Sequence, residues 1–593
     1  MIASTVQRRW NAHQTLVLLL VFFSFFMSAL VSRTVFERLP HLEDEVAYLF
    51  QAKTYARGDL VIPSPEPRRA FWQPFVVDLD GLRFGKYSPG WPALLAPGVA
   101  MGQPWIMNAI FAALTVALVY RLGREVFNRD VGAIAAALVA FSPMALLLAG
   151  SLMGHTAALF GVTLFMYAYW RIERGKTGRN RLLWGLVAGL ALGSVVANRP
   201  LTGIGVALPF VVWSLIRLGR ALVSQRAQFW PRLQPLIVLG AVTVLLALSV
   251  PIYSNAATGD PTKNLYTLVW WYDTVGFGDC CGRAADRGEG GHDLERGVRH
   301  MRYDITLMAA DLFGWQWGQF TEEQRQHLIA EGDTYPGTGL SWLLLPFGLL
   351  VAFRGKSIWV ALWLALGYGW LVFAHQYDGG RFAAEADTSY LWMAVFAAWL
   401  TLPLLVTWRG SRPTRTTWAW LLVAVALGLL GVQLMYWIGS QRYSTRYYFE
   451  MLTPLALLSA LPLAWLARRI GRLPVYGVLA GLLFYSLYAY STPRIETLYR
   501  FNEISGEILQ GIEERREGDR PVLVIVNGSN VRWRPLGALM AVTSPYFDSD
   551  IVGAWAYAPG IREQLIAMFP DRQLIEMQAE ENTSTFMDEG TAG

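Results

Sequence analysis

The chain has 593 residues, of which 54% are hydrophobic and only 16% charged, with a formal net charge of +6. Soluble globular proteins carry about 25% charged residues, so this composition excludes an ordinary soluble enzyme. The small positive excess sits in loops flanking apolar segments, where it follows topology and anionic lipid, so no nucleic-acid partner is expected. Cys280 and Cys281 are adjacent and are the two cysteines of the chain. They build neither a disulfide framework nor a spaced metal cluster; two plain thiols are expected, with a vicinal disulfide as the rarer alternative, because neighbours rarely reach disulfide geometry without backbone strain.

Arg8 and Arg9 precede an apolar run from about Leu16 to Val31, which is long enough to span and lacks a clear small-residue cleavage site. It reads as an uncleaved first span. Further spans are predicted near 104–120, 131–150, 154–170, 182–198, 200–216, 235–252, 339–353, 357–374, 389–408, 416–438, 447–467 and 474–490, about thirteen in all, with a re-entrant alternative for 89–101. Arg and Lys fill alternate loops: Arg121, Arg124 and Arg129; Arg171, Arg174, Lys176, Arg179 and Arg181; Arg217, Arg220, Arg226 and Arg232. The positive-inside rule assigns these to the cytoplasm, with the N-terminus, and an odd span count puts the C-terminus outside. The opposite loops hold Glu43, Asp44, Glu45, Asp78, Asp80, Asp273 and Asp279.

Two outer loops, 35–88 and 253–338, exceed simple connectors and are expected to carry function. In the second, His292–Phe313 has helical apolar spacing and is predicted to lie on the membrane surface or to lid a cavity. The division expected is a transmembrane domain over 1–490 and a small extracytoplasmic α/β domain over 491–593. The latter rests on the β-rich run from Pro521 to Val526 and a helix from Ile561 to Phe569, and it ends in a disordered tail. It has no phosphate-loop or dinucleotide fingerprint.

The sharpest constellation is His41-Leu42-Glu43-Asp44-Glu45-Val46-Ala47-Tyr48, just beyond the first span. On a helix, Asp44, Tyr48, Gln51 and Tyr55 share one face, so one carboxylate points into an aromatic-walled groove. Acidic residues also favour the first turn of any surface helix. Basic residues at the outer ends of spans break the topology rule: Lys86, Arg199, Arg381, Arg442 and Arg446. A lipid phosphate or pyrophosphate would meet such charges. For Arg446 the competing reading is a pair with Glu450 one turn on.

An acidic pair opening a juxtamembrane helix, here Asp44-Glu45, followed by Tyr55-Ala56-Arg57-Gly58 and by Gly85-Lys86-Tyr87-Ser88-Pro89-Gly90-Trp91-Pro92, resembles bacterial members of the GT-C glycosyltransferases. The likeness is to the family-39-like branch, which includes protein O-mannosyltransferases and the lipid A aminoarabinose transferase. It covers the membrane region to about residue 490. Arg442-Tyr443-Ser444-Thr445-Arg446-Tyr447 resembles that superfamily's Arg-Tyr signature at the outer end of a late span. Many relatives have an acidic residue after the third span. Here Gly150-Ser151-Leu152-Met153-Gly154-His155-Thr156 offers His155, which either replaces that partner or marks a branch without it.

The resemblance implies a polytopic GT-C-like protein of the plasma (inner) membrane. It would move a sugar from a polyprenyl-phosphate-linked donor to a hydroxyl of a glycan, lipid or protein, with inversion, on the extracytoplasmic side. Asp44 and Glu45 are the catalytic candidates, with Asp44 as base. Tyr48, Tyr55, Lys86, His155, Arg199, Arg381, Arg442, Arg446 and Tyr447 are the substrate-binding candidates. Consecutive helical carboxylates diverge by about 100°, so no obligatory metal is expected, a divalent cation being the alternative. A multi-span lipid or glycan transporter and a non-catalytic scaffold are the other readings. The one-sided clustering of charge and the absence of an internal repeat argue against the transporter.

Overall fold

A computed structural model of the protein describes residues 12–316, 339–353, 355–376, 386–406, 414–440, 442–528, 532–579 and 584–586. From the N-terminus the helices are α1 (Ala12–Thr34), α2 (Glu43–Tyr55), α3 (Gly90–Ala100), α4 (Ile106–Val126), α5 (Arg129–Ala140), α6 (Pro143–Gly150), α7 (His155–Arg174), α8 (Gly178–Asn198), α9 (Pro200–Ser224), α10 (Phe229–Ala247) and α11 (Ser249–Thr258). Among the described residues, eight helices are long and apolar enough to cross a membrane, or nine if α5 and α6, bent by 54°, form one span. The protein is therefore a multi-pass membrane protein. The thirteen predicted segments all contain helix; Ser341–Ala352 is short for a span, whereas Ser357–Gln376 and Ala386–Val406 run for 20 and 21 residues. At eleven residues α3 is also too short to cross.

Glu45 explains why α2 starts where it does. Its carboxylate accepts the backbone N–H groups of His41 (2.7 Å) and Leu42 (3.2 Å), donors that a helix start leaves without partners. Beyond α2, strands β1 (Ile62–Pro63), β2 (Val76–Leu79) and β3 (Leu82–Gly85) form an antiparallel sheet in the order β1-β3-β2. The second long loop contains the helix Leu294–Asp311. One face of it is packed inward, where Gly297 lets its backbone approach that of Leu434 closely and Leu294, Val298, Met301 and Met308 join the main core, while Arg299, Arg302 and Tyr303 stay exposed on the other.

The C-terminal unit has a four-stranded sheet, β4 (Val522–Asn527), β5 (Ile551–Ala556), β6 (Gln573–Ala579) and β7 (Ser584–Phe586), ordered β5-β4-β6-β7. The central strand β4 is parallel to both neighbours and buried over Val522–Val526, which accounts for its continuous apolar run. Phe71 of the first loop packs between Phe547 and Phe569, at ring-centroid distances of 4.4 and 6.4 Å. Lys53 of α2 donates to the carbonyls of Ala541 and Thr543, and Arg57 pairs with Asp548 at 2.5 Å. This unit thus clamps one face of α2. The tail predicted to be disordered lies mostly outside the described residues.

Candidate active site

Helical geometry sends the three consecutive acids of α2 to three different destinations. Glu43 pairs with Arg442 at 2.5 Å. Asp44 accepts a 2.7 Å hydrogen bond from the Tyr87 hydroxyl and lies 3.6 Å from Nη1 of Arg446. Glu45 is fully buried and accepts the Leu152 N–H (2.8 Å) and the Tyr443 hydroxyl (3.2 Å) besides its two capping bonds. Burial pushes the Glu45 carboxyl up to about 7 against those donors. Burial also raises Asp44, but Arg446, Tyr87, Lys86 and Arg442 together hold it below the usual carboxylate range. Asp44 is therefore ionised beside a cation, whereas Glu45 ties α2 to the loops around it.

The segment holding Arg442 and Arg446 is under backbone strain. Tyr443 and Ser444 have φ of 55° and 63°, a region that costs about 1–3 kcal/mol for such residues. Each is pinned by its own side chain: Tyr443 to Glu45, and Ser444 to the buried Asp311. Asp311 also accepts the Tyr490 hydroxyl at 2.5 Å and faces Arg494 at 3.5 Å. Asp304 accepts the Ser440 N–H at 3.2 Å; burial drives its carboxyl up to about 8 despite that bond and Arg446. The strained turn thus aims Arg446 at Asp44 and Arg442 at Glu43. Nε and Nη1 of Arg446 are buried and have no hydrogen-bond partner.

A second arginine arrives from the junction of α8 and α9. Arg199 is 3.3 Å from Oε1 of Glu450, and its Nη1 is 2.7 Å from His155 Nε2, so that nitrogen accepts and the proton resides on Nδ1. Its guanidinium lies 5.7 Å from the Tyr447 ring, and that of Arg446 is 5.2 Å from the same ring. The Tyr48 ring lies 4.5 Å from that of Tyr87, tilted by 48°, and has Asp44, Arg199 and Arg446 as electrostatic neighbours. Asp44, Tyr48, His155, Arg199, Arg446 and Tyr447 therefore form one cluster.

Other expected residues are engaged elsewhere. Lys86 is 3.6 Å from Asp273 and sits over the rings of Phe75 (3.7 Å) and Trp270 (4.5 Å). Burial lowers its pKa even with Asp273 and Asp44 nearby, so its charge is already met inside the protein. Tyr55 receives a hydrogen bond from Gln51 and packs with Tyr253 in the apolar cluster around Phe84 and Leu265. Arg442 reaches Glu43 rather than Asp44. Arg381 lies outside the described residues. Glu450, Asp273, Asp304 and Asp311 are the partners that periodicity missed. Glu450 in particular serves Arg199, not its i+4 neighbour Arg446.

Cys280 and Cys281 are joined as a vicinal disulfide, where plain thiols were expected. Gly278 and Gly282, at φ of 103° and 84°, give the flanking backbone the freedom that a side chain would deny. Among the described residues, no three His, Cys, Asp or Glu side chains gather as a metal site. On the other face of α2, an apolar gap lined by Phe50, Phe71, Arg83, Leu539 and Trp555 has about 60 Å³ of open space. That is room for a few atoms rather than for a sugar or lipid.

The multi-pass helical protein thus carries an ionised carboxylate on a juxtamembrane helix, faced by arginines from two interhelical junctions. Residues 99–258 match the family model described as dolichyl-phosphate-mannose-protein mannosyltransferase, so the resemblance found in the sequence is carried independently over roughly a quarter of the chain. That stretch contains His155 and Arg199 but neither Asp44 nor Arg446. No curated protein matches the chain. Among solved structures it is similar to ArnT from Cupriavidus metallidurans bound to undecaprenyl phosphate, at 12% identity over 95% of this chain and 92% of that one, with a TM-score of 0.49. It is also similar to the archaeal oligosaccharyltransferase AglB from Archaeoglobus fulgidus (14% identity, 90% and 64% covered, TM-score 0.42) and to the S. cerevisiae protein O-mannosyltransferase Pmt1-Pmt2 complex (19%, 42% and 35%, 0.32).

Proposed function

We propose that this glycosyltransferase moves a sugar from a polyprenyl-phosphate-linked donor to an acceptor hydroxyl, at the membrane face that carries α2. The observation that supports it most is the Asp44–Arg446 pair: a carboxylate kept ionised, 3.6 Å from a buried guanidinium whose Nε and Nη1 make no hydrogen bond. An anionic ligand with oxygens in a plane satisfies such a fork, and phosphate does so with two oxygens. In the proposed step the acceptor oxygen bonds to C1 of the sugar as the bond from C1 to the phosphate oxygen breaks. The electron pair leaves on phosphate, stabilised by Arg446 with Arg199 beside it, and the hydroxyl proton passes to Asp44.

Phosphate bound at Arg446 would share the charge that holds Asp44 below its ordinary pKa, making Asp44 a better base once the donor is seated. One displacement without an enzyme nucleophile inverts the anomeric centre. Arg446 and Arg199 meet the leaving charge without an obligatory metal. Glu45, fully bonded, acts by positioning α2 rather than by touching substrate. The acceptor is a glycan, lipid or protein hydroxyl, and the positive-inside distribution of Arg and Lys supports an extracytoplasmic reaction.

Purified protein incubated with a radiolabelled polyprenyl-phosphate sugar and acceptor extracts is expected to yield labelled glycan, lipid or protein with inverted anomeric configuration. Absence of transfer, together with donor translocation across vesicles, would overturn the reading in favour of a transporter. For the side, a cysteine placed at Gly290 in a protein whose native cysteines are replaced is expected to react with an impermeant thiol reagent, and one at Gly178 to be protected. The reverse pattern would overturn the orientation.

A further inference from the structure

α7 connects two ends of the bundle. It begins at His155, beside Arg199, and ends at Arg174 after 20 residues; at 1.5 Å per residue that is about 30 Å, the thickness of a bilayer's hydrocarbon core. At its far end lies a cavity of about 760 Å³ whose lining includes Glu125, Trp170, Arg171, Arg174, Lys176 and Arg415. Four cationic side chains thus face one carboxylate, about 30 Å along α7 from the Asp44 site, a separation that matches the opposite headgroup layer. They come from α7, from the α7–α8 connection and from the start of the helix Arg415–Leu434.

Two of the cations are held in place. Arg171 donates to Glu125 (3.1 Å) and lies 5.0 Å from the Trp184 ring. The Arg174 guanidinium lies 4.5 Å from the Trp170 ring. Lys176 and Arg415 are exposed and complete the wall. Thr177 and Asn180 also line the cavity, and Thr177 is the N-cap of the 21-residue α8, so the positive end of that helix opens onto the same space. The volume is that of an ordinary ligand pocket. Topology alone asks for Arg and Lys in these loops, but it does not ask them to converge from three elements on one cavity.

We propose that this cavity binds the phosphodiester headgroup of an anionic phospholipid from the leaflet opposite the Asp44 site. The charge complementarity and the headgroup depth identify the ligand, and the aromatic rings under the two guanidiniums present their N–H forks to phosphate oxygens. The site is independent of sugar transfer.

The test uses the full-length protein in a neutral detergent, titrated with dioleoyl phosphatidylglycerol or dioleoyl phosphatidylcholine and followed by melting temperature and native mass spectrometry. Phosphatidylglycerol is expected to bind and to raise the melting temperature, whereas phosphatidylcholine is not. Lys176→Gln with Arg415→Gln, both exposed positions, should weaken phosphatidylglycerol about tenfold or more, on the scale of two lost basic contacts. Arg468→Gln with Arg469→Gln removes equal charge at the far end of the helix Leu452–Ile470 and should leave affinity unchanged. Equal weakening by both pairs, equal binding of the two lipids, or competition by inorganic phosphate at matched concentration would each overturn the assignment.

Discussion

The two ends of α7 hold opposite kinds of charge. At the His155 end, Asp44, Glu450, Arg199 and Arg446 are mostly withdrawn from solvent, and each finds its counterpart in a segment far away in sequence. At the Arg174 end, the cations of α7, the α7–α8 connection and the start of the helix Arg415–Leu434 are mostly exposed and satisfy a topology rule. A desolvated charge costs several kcal/mol unless a specific partner is built for it, so the first set reports chemistry. The second set costs little and reports orientation, and only its convergence on a cavity sets it apart. An unpaired N–H in the first set therefore means far more than an unpaired one in the second.

The sharpest way to break this contrast is to remove a site cation. Arg446→Ala should lower transfer about a hundred- to a thousandfold, the usual loss for a group that stabilises developing charge, with folded yield retained. Arg446→Lys should recover part of it, since the charge returns without the fork. Arg468→Gln, at the opposite end, should leave turnover unchanged. Comparable losses from both would erase the distinction between the ends.

A smaller effect concerns Glu45. Glu45→Ala leaves the N–H groups of His41, Leu42 and Leu152 and the Tyr443 hydroxyl without their acceptor, a loss of about 2–5 kcal/mol. It should appear as a lower melting temperature and poor yield, with donor affinity falling in parallel because Tyr443 sits in the turn that aims Arg446. Glu45→Gln keeps one acceptor oxygen and should be milder. A Glu45→Ala protein of normal stability but dead in transfer would make Glu45 catalytic instead.

The smallest expected effect is a pH slope. Asp304 has a folded pKa of about 8, raised by burial above the 3.8 of a free carboxyl. Folding therefore favours its protonated form, and that stabilisation is complete below about 3.8 and lost as pH rises toward 8. Asp304→Asn should flatten the fall in melting temperature between pH 5 and 8 and raise the value at pH 8. An unchanged slope would show that Asp304 does not titrate in this range.

Much of this was legible where local geometry governs. Apolar runs located the helices, 100° steps separated Glu43, Asp44 and Glu45, and topology-breaking arginines marked Arg199 and Arg446. What stayed hidden were pairings with no period: Lys86 with Asp273, Ser444 with Asp311, and Glu450 with Arg199, whose i+4 alternative was the more obvious partner. Spacing says which face a side chain takes, but not which distant segment will be folded onto that face. The same limit turned the Cys280–Cys281 reading toward thiols, since the flanking glycines matter only through their positive φ.

The central claim is that Asp44 is the base and that the adjacent acids of α2, Glu43 and Glu45, do not share that role. Purified wild-type, Asp44→Asn and Glu43→Gln proteins, compared for radiolabelled sugar transfer and in parallel for donor binding, test this directly. We expect Asp44→Asn to lose about a hundredfold or more in transfer while binding donor nearly normally, since the amide keeps the shape but cannot accept the proton. Glu43→Gln, one helical step away and paired with Arg442, should lose far less. Equal rates for the two variants would contradict the account and remove Asp44 from the mechanism.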